Sequence, residues 1–600
     1  MKISRSNFAA ISVTMIAILI LFQFSNLSAI YASQAMKNAN ALQDVSITVN
    51  KTVQASNLLS TSSYTTALVG SKSNQETIIA EEWCVYTKQP YYRFPSLDAF
   101  YGNISKNCKL LIVNSYVIDS SHDIDILEQT AKRGVNIILT SLPDISIFRS
   151  YPKLMELTGI RKIEADSYYT NGMTVFEGFL LGGKTTYTEL KKSIPYFLLQ
   201  SGTKTYISAS IKHQERKHIK NEELPPVLWR NYYENGFVFS VNYDFFQDHT
   251  GLGMLTAMLS ETNSYNIYPI VDAQSVICQN FPYLSNENSD RISQQYFYNS
   301  KAFCENVLWP DVVSILGATD DKFSGMIAPK LEYSSSAEID QDVLSFYFKQ
   351  TERITGELGI SGEQMESRSF HKDKIMYDTK KFKQLAPDYT FTVFSPGSMP
   401  ESAYEGYLKF YSKDSILSNI RTLILPKEYQ HSPVLSFYNT KILSMSCISD
   451  GFSHTDGEDL YLRSIETALG YSAISLDFSR VLYPSGKSDD WTSLSRDMAR
   501  YLDTYWKSFR KAFEQVNISQ ADQKVRKFFA LDYHSHRRNN TISLSITNFD
   551  EEASFLLDLT DEKIVSVSGG TFIKAEKDKY VIHATKKNVA IEVTEDLSEN

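Results

Sequence analysis

Residues 108–142 read CKLLIVNSYVI (108–118), a short polar connection, DIDILEQTAKRG (123–134) and VNIILTSL (135–142). The outer runs are continuously apolar and have strand length. The middle run is amphipathic and stops at Lys132-Arg133-Gly134, a basic last turn followed by a glycine. A buried strand, a helix and a second buried strand make a βαβ unit, so a parallel sheet with a right-handed crossover is predicted. Working outward, the run GFVFSVNYDFF (236–246) is expected to close this α/β domain, which is assigned residues 83–262. The intervening KHQERKH (212–218) is mixed in sign and reads as a solvated hairpin, not an anion site.

The chain has 600 residues, which at about 150 per domain suggests roughly four folded units. Its 42% hydrophobic and 22% charged residues are ordinary for globular protein and exclude a disordered, collagenous or polytopic membrane chain. Sixty Lys and Arg against 69 Asp and Glu give a net charge of -9, so no global positive field invites nucleic acid. The 37 Tyr, 34 Phe and 5 Trp suit cores first and sugar-stacking surfaces second.

At the amino terminus, Lys2 and Arg5 precede FAAISVTMIAILILFQF (8–24), an uncharged run that reads as an export signal. Its length lies between a membrane span and a cleaved signal peptide. Ser33-Gln34-Ala35 would suit cleavage, but Ser25, Asn26 and Ser28 intervene, and an uncleaved anchor over 1–35 with its span at about 8–28 is the expectation. Cations on the leading side put the N-terminus inside and the bulk of the chain outside a cell membrane. Residues 36–82, rich in Ser, Thr, Asn and Ala, are read as a stalk. The five cysteines, Cys84, Cys108, Cys278, Cys304 and Cys447, show no metal-binding spacing. Export would permit bridges such as Cys84 with Cys108 or Cys278 with Cys304, and buried free thiols are the plainer reading.

Residues 263–526 alternate apolar runs with helices: NIYPIVDAQSVIC (266–278), VVSILGAT (312–319), TFTVFS (390–395), RTLILP (421–426), ILSMSCIS (442–449) and SAISLDF (472–478) as strands, and DQDVLSFYFKQTERITGELG (340–359) as a helix. That pattern predicts a β/α barrel or partial barrel. Trp491, Leu494, Met498, Leu502, Trp506, Phe509 and Phe513 draw one apolar helix face, with Ser488 as expected N-cap and Asp489 and Asp490 in the first turn. Over 527–600 the period becomes two, in TISLSITNF, ASFLLDLT, KIVSVSGG, TFIKA, KYVIHAT and NVAIEVT, which predicts a small antiparallel β-sandwich.

The wiring of 83–262 resembles the flavodoxin-like class I glutamine amidotransferases. Where that family presents a cysteine nucleophile, however, this chain reads Ser141-Leu142-Pro143-Asp144, with neither a thiol nor a glycine-flanked serine. The domain is therefore read as packing or partner-binding material. Residues 266–284, 305–333 (ENVLWPDVVSILGATDDKFSGMIAPKLEY), 355–362 (TGELGISG) and 378–391 (DTKKFKQLAPDYTF) resemble a membrane-anchored bacterial family found beside exopolysaccharide synthesis genes. The barrel of that family is similar to the polysaccharide deacetylases, including the deacetylase of Pel-type systems, and the likeness runs from about 83 to 595.

That resemblance implies a metal site. Such deacetylases end their first barrel strand in a TFDDG-like motif whose first Asp is the base and whose second binds a divalent metal, completed by an HxxxH pair. The metal polarises the acetyl carbonyl and acidifies its bound water. Here the motif falls on Gln279 and Asn280, two amides that neither take a proton at neutral pH nor bind hard cations well, and no histidine lies between His249 and His371.

Other residues are candidates for replacement chemistry. Asp320 and Asp321 follow VVSILGA, where a barrel strand would carry paired catalytic acids to the mouth, although a helix cap accounts for them as well. His371, His431, His454 and Asp456 are possible partners, with His454 set in the acidic loop SDGFSHTDGED (449–459), a cation loop or a solvated turn. His534 and His536 share a strand face at a spacing compatible with zinc, but no acidic third ligand adjoins them.

Three functions follow. The first is a membrane-tethered, extracytoplasmic glycan-handling protein of exopolysaccharide assembly, a pseudoenzyme with a degenerate deacetylase-like barrel and no cofactor, whose partners are a polysaccharide and the membrane-bound synthesis proteins. The second is an active carbohydrate esterase or glycosidase using Asp320, Asp321 and the His454 loop, with zinc as its metal. The third is a scaffold binding proteins only.

Overall fold

The structure is a computed structural model that describes residues 14–15, 64–211, 220–365, 371–410, 415–426 and 432–596. The expected membrane span, apart from Thr14 and Met15, lies outside these residues, as do residues 212–218 and His431. Among the described residues no helix is long and apolar enough to cross a membrane.

The first sheet is built around the βαβ unit. Leu110–Val113 and Asn136–Leu139 pair in parallel, and the helix Ser121–Lys132 between them starts at a capping box of Ser120 and Asp123. Thr66–Val69 lies between Leu110–Val113 and Tyr91–Phe94, and Gly236–Val241 pairs in parallel with Asn136–Leu139. This gives the strand order of a flavodoxin-like sheet. Four antiparallel strands then extend it beyond Gly236–Val241, which is thus central and not closing. Residues 64–82 correct the stalk assignment: they hold the buried strand Thr66–Val69 and begin the helix Gln75–Tyr86. Their serines and threonines hid a four-residue strand that is buried throughout.

The second nine-stranded sheet runs parallel through Ala273–Gln279, Phe323–Ile327, Glu357–Ser361, Val393–Ser395, Thr422–Leu425 and Leu443–Ser446, with Tyr471–Asp477 on the other side of Ala273–Gln279. Leu435–Phe437 lies antiparallel beside Leu443–Ser446 at one edge, and the ring closes through one kinked segment, 443–450. Cys447 N–H still bonds Leu425 O (2.8 Å), whereas Ile448 N–H bonds Ala473 O (2.9 Å), and Ser449–Asp450 pairs with Tyr471–Asp477. Seven chain segments thereby form a ring. The helix Ile518–Ala530 closes its N-terminal end: Ser519 donates to Glu357, Thr422 Oγ1 to Asp522 (2.9 Å), and Ile518 N–H to Ser324 Oγ (3.3 Å).

Two expected elements change identity. VVSILGA is not a strand but most of the helix Trp309–Ala318, which buries Trp309, Val312 and Leu316 at helical spacing. The stretch 357–359, read as the end of a helix, opens the strand Glu357–Ser361 after the helix Gln341–Arg353. The N-cap of Trp491–Trp506 is Asp490, not Ser488.

The sandwich has two four-stranded antiparallel sheets. One of them takes its edge strand, Tyr265–Ile270, from the first half of the run 266–278, which the pattern predicts as a single barrel strand; only the second half, Ala273–Gln279, joins the ring. The α/β domain and the ring share a core through the helix Thr250–Ser260, packed between Gln75–Tyr86 and Asp456–Leu469. A Cβ on Gly253 would lie 2.4 Å from Ser464 O, so only glycine permits this approach. All five cysteines are free and buried.

Candidate functional site

Strand register decides which side chains face the inside of the ring. Gln274 and Ser472 both bond Glu466 on the outer helix Asp456–Leu469, through Nε2 (2.8 Å) and Oγ (2.6 Å). By alternation Ser275, Ile277 and Gln279 point inward, as do Ala473, Ser475 and Asp477, which pair with them residue for residue. Ser475 is paired with Asp450, and Ile277 with Ser324, whose own register leads to Glu357, then Ser361 and Ser395. The C-terminal mouth of the ring is therefore floored by Gln279, Ser361, Ser395, Asp450 and Asp477, where barrels of this class build their sites.

The mouth is braced by a chain of hydrogen bonds. Asn280, in a left-handed conformation (φ 59°) that Asn tolerates better than most residues, follows directly on the strand. Its Nδ2 donates to Asp477 Oδ1 (2.7 Å), and its Oδ1 accepts from Ser361 Oγ (2.6 Å). Ser479 closes on Asp477 through its N–H (2.9 Å) and Oγ (2.8 Å). Glu363 accepts from Ser398 N–H (2.7 Å) and Oγ (2.6 Å). Burial holds the Glu363 carboxyl above its ordinary range, the Ser398 bonds oppose that, and the Asp477 charge adds to it. Arg480 donates to Asp489 Oδ1 (3.0 and 3.1 Å) and lies 3.7 Å from Asp450. Burial raises the Asp489 carboxyl, but bonds from Ser485 and Arg480 outweigh it and hold the group low.

Two inward groups are left over. Gln279 is 6% exposed and its Nε2 has no hydrogen-bond partner, and the same holds for Ser395 Oγ. A buried donor without an acceptor costs on the order of 1–3 kcal/mol unless something in the mouth completes it.

The structure brings Gln279 and Asn280 together with Asp477, and separates them from the other candidates. Asp320 and Asp321 lie between the C-terminus of Trp309–Ala318 and the start of Phe323–Ile327, at the closed end of the ring, because the run before them is a helix. Asp321 accepts from Thr319 Oγ1 (2.5 Å) and sits 3.6 Å from Arg510. Burial lifts it to about 6 against those two partners. His454 stacks on Tyr501 and meets Tyr505 edge to face, with its Nε2 3.5 Å from Asp459. Asp456 accepts the N–H groups of Thr188 (2.5 Å) and Glu189 (2.7 Å), so the acidic loop is a helix start pinned to the α/β domain. His371 begins the helix His371–Leu385. His534 and His536 face outward on an edge strand, with ring centroids 6.2 Å apart.

Asp450, Asp477, Ser361, Glu363 and Arg480 carry the mouth, and of these only Asp450 stands among the sequence candidates, as part of the acidic loop 449–459. One signal was present: Asp477 closes SAISLDF, a predicted strand, at the end where barrel sites stand. The donor set does not fit the metal of a deacetylase. Its two motif positions are amides, and among the described residues no three His, Cys, Asp or Glu side chains are grouped to hold a metal ion.

Residues 98–366 match the family described as "Uncharacterised protein conserved in bacteria (DUF2194)". No curated protein matches the chain. Among solved structures, the chain is similar to Agd3, described as a novel carbohydrate deacetylase, at 9% identity and a TM-score of 0.48, over 88% of this chain and 99% of that one. It is also similar to the exo-β-1,4-mannosidase Op5Man5 from Opitutaceae bacterium strain TAV5, at 13% identity and a TM-score of 0.22, over 33% of this chain and 34% of that one. A ThuA-like protein from Bacteroides uniformis is similar at 12% identity and a TM-score of 0.23, over 33% of this chain and 91% of that one. Likeness at this level carries no chemistry to the chain.

Proposed function

We propose that the mouth of the ring binds a glycan without hydrolysing it, and that the chain serves exopolysaccharide assembly from the outer face of a membrane, tethered by residues 8–28. One observation carries this reading. At the end of the first ring strand, where the deacetylase pattern places its base and first metal ligand, stand Gln279 and Asn280, and Asn280 is locked between Asp477 and Ser361. An amide cannot take a proton from water at neutral pH, and one with both ends occupied cannot turn to a metal. Carboxamide, hydroxyl and carboxylate groups together offer the mixed donors and acceptors that sugar hydroxyls need. The catalytic alternative built on Asp320, Asp321 and His454 lacks a common cleft.

The test is direct. The full-length protein, purified in detergent with and without added zinc, is titrated with hexosamine oligomers and the oligomers are then analysed by mass. Binding with unchanged masses supports the reading. Zinc-dependent loss of acetyl groups refutes it.

A further inference from the structure

Among the described residues the charge at the mouth is one-sided. Glu363, Asp450 and Asp477 bring three carboxylates to the mouth, and the guanidinium beside them, Arg480, is shared between Asp489 (3.0 Å) and Asp450 (3.7 Å). The carboxylates of Asp477 and Glu363 accept from amides and hydroxyls, which are neutral donors, and no cation among the described residues pairs with them. Burial first, and the Asp477 charge to a lesser degree, raise the proton affinity of Glu363 against the Ser398 bonds. Independently, the Gln279 side chain is 6% exposed, faces the same space by register, and has no acceptor for its Nε2. The acidic rim selects for positive charge, and the Gln279 amide asks for an oxygen next to it.

Resting on the glycan-binding reading above, we infer that the mouth selects an amine-bearing hexosamine unit, its ammonium set against Asp477 and Glu363 and a ring hydroxyl accepting from Gln279. A neutral N-acetylated unit loses the charge attraction, and a uronate meets repulsion.

The full-length protein is titrated at low salt with three oligomers of equal length: de-N-acetylated chitohexaose, N-acetylated chitohexaose and hexagalacturonate. The amine-bearing oligomer should bind about tenfold or more tighter than the acetylated one, hexagalacturonate least, and the preference should shrink with added salt. Glu363→Gln and Asp477→Asn, each isosteric, should erase most of that preference. Because Asp477 braces Asn280, Glu363→Gln alone decides if the other variant misfolds. Equal or tighter binding of the acetylated oligomer overturns the inference and leaves the glycan-binding reading standing. An amine preference that survives in Glu363→Gln comes from the net acidic surface and also overturns it. Failure of all three oligomers to bind overturns both.

Discussion

Asn280 donates a 2.7 Å hydrogen bond to Asp477 and so ties the first strand of the ring to the last at its open end. Asn280→Asp would restore the acid of a deacetylase motif at this position while placing it against an existing carboxylate. One of two carboxylates at that distance has its pKa raised in the folded state. The folding penalty is then absent at low pH, where both are protonated, and grows as pH rises from the ordinary carboxylate range toward the raised value. Urea unfolding should show a loss on the order of 2 kcal/mol at pH 7.5 and little at pH 4. Equal losses at both pH values would contradict the pairing.

A second pH effect is already built in. Glu466, fully buried between the outer helix and the ring wall, is raised to about 7, by burial first, against hydrogen bonds from Ser472 and Gln274. A carboxyl whose folded pKa exceeds its unfolded one favours folding below the unfolded value, and that advantage is lost between roughly pH 4.5 and 7. Glu466→Gln keeps acceptance from Ser472 and Gln274 and carries no charge. It should flatten the stability profile across that window and leave the protein more stable at pH 8, by an amount on the order of 1–3 kcal/mol. Unfolding midpoints measured from pH 4 to 8 check this.

Lys374 and Asp378 form an ion pair of 2.8 Å with both side chains almost wholly buried, and Tyr333 Oη donates to Asp378. Asp378→Asn leaves the Lys374 ammonium without a counter-charge and should cost about 3–5 kcal/mol. The double replacement Lys374→Met with Asp378→Leu should recover much of that. Chemical denaturation of the three proteins distinguishes a pair that is merely tolerated from one that holds the fold.

Thiol titration tests the cysteine assignment. All five sulfurs are free and buried, so the native protein should show almost no reactive thiol, all five should react after unfolding, and melting should be indifferent to reductant. A melting point lowered by reductant would reveal a bridge.

Much of the architecture was legible from period alone. The strands Leu110–Val113 and Asn136–Leu139, shorter than the runs 108–118 and 135–142 that contain them, the helix between them, and the two-residue alternation after 541 stand out because apolar pattern and burial coincide there. What misled were places where packing overrode propensity. FSGMI and ELGIS are ring strands with glycine at their centres. A Cβ on Gly325 would lie 2.7 Å from Phe281 O, and one on Gly359 2.8 Å from Met326 Sδ, so close approach of neighbouring segments demands a residue that strand propensity disfavours. VVSILGA misled in the opposite sense, since a short continuous apolar run does not distinguish strand from helix. That error carried Asp320 and Asp321 to the wrong end of the ring. In the site, Gln279 and Asn280 were legible because the motif is local. Ser361 and Glu363 were not, and Asp450 was legible only as a loop acid, because they meet only through register across five strands.

The most direct measurement is calorimetric titration of a hexosamine oligomer into the full-length protein and into Gln279→Ala, with the oligomer recovered and weighed by mass spectrometry. The account predicts binding by the native chain, at least about tenfold weaker binding by the variant as a buried donor is lost, and oligomer masses unchanged in both. Equal affinity in the two proteins, or an oligomer recovered deacetylated or shortened, would contradict it.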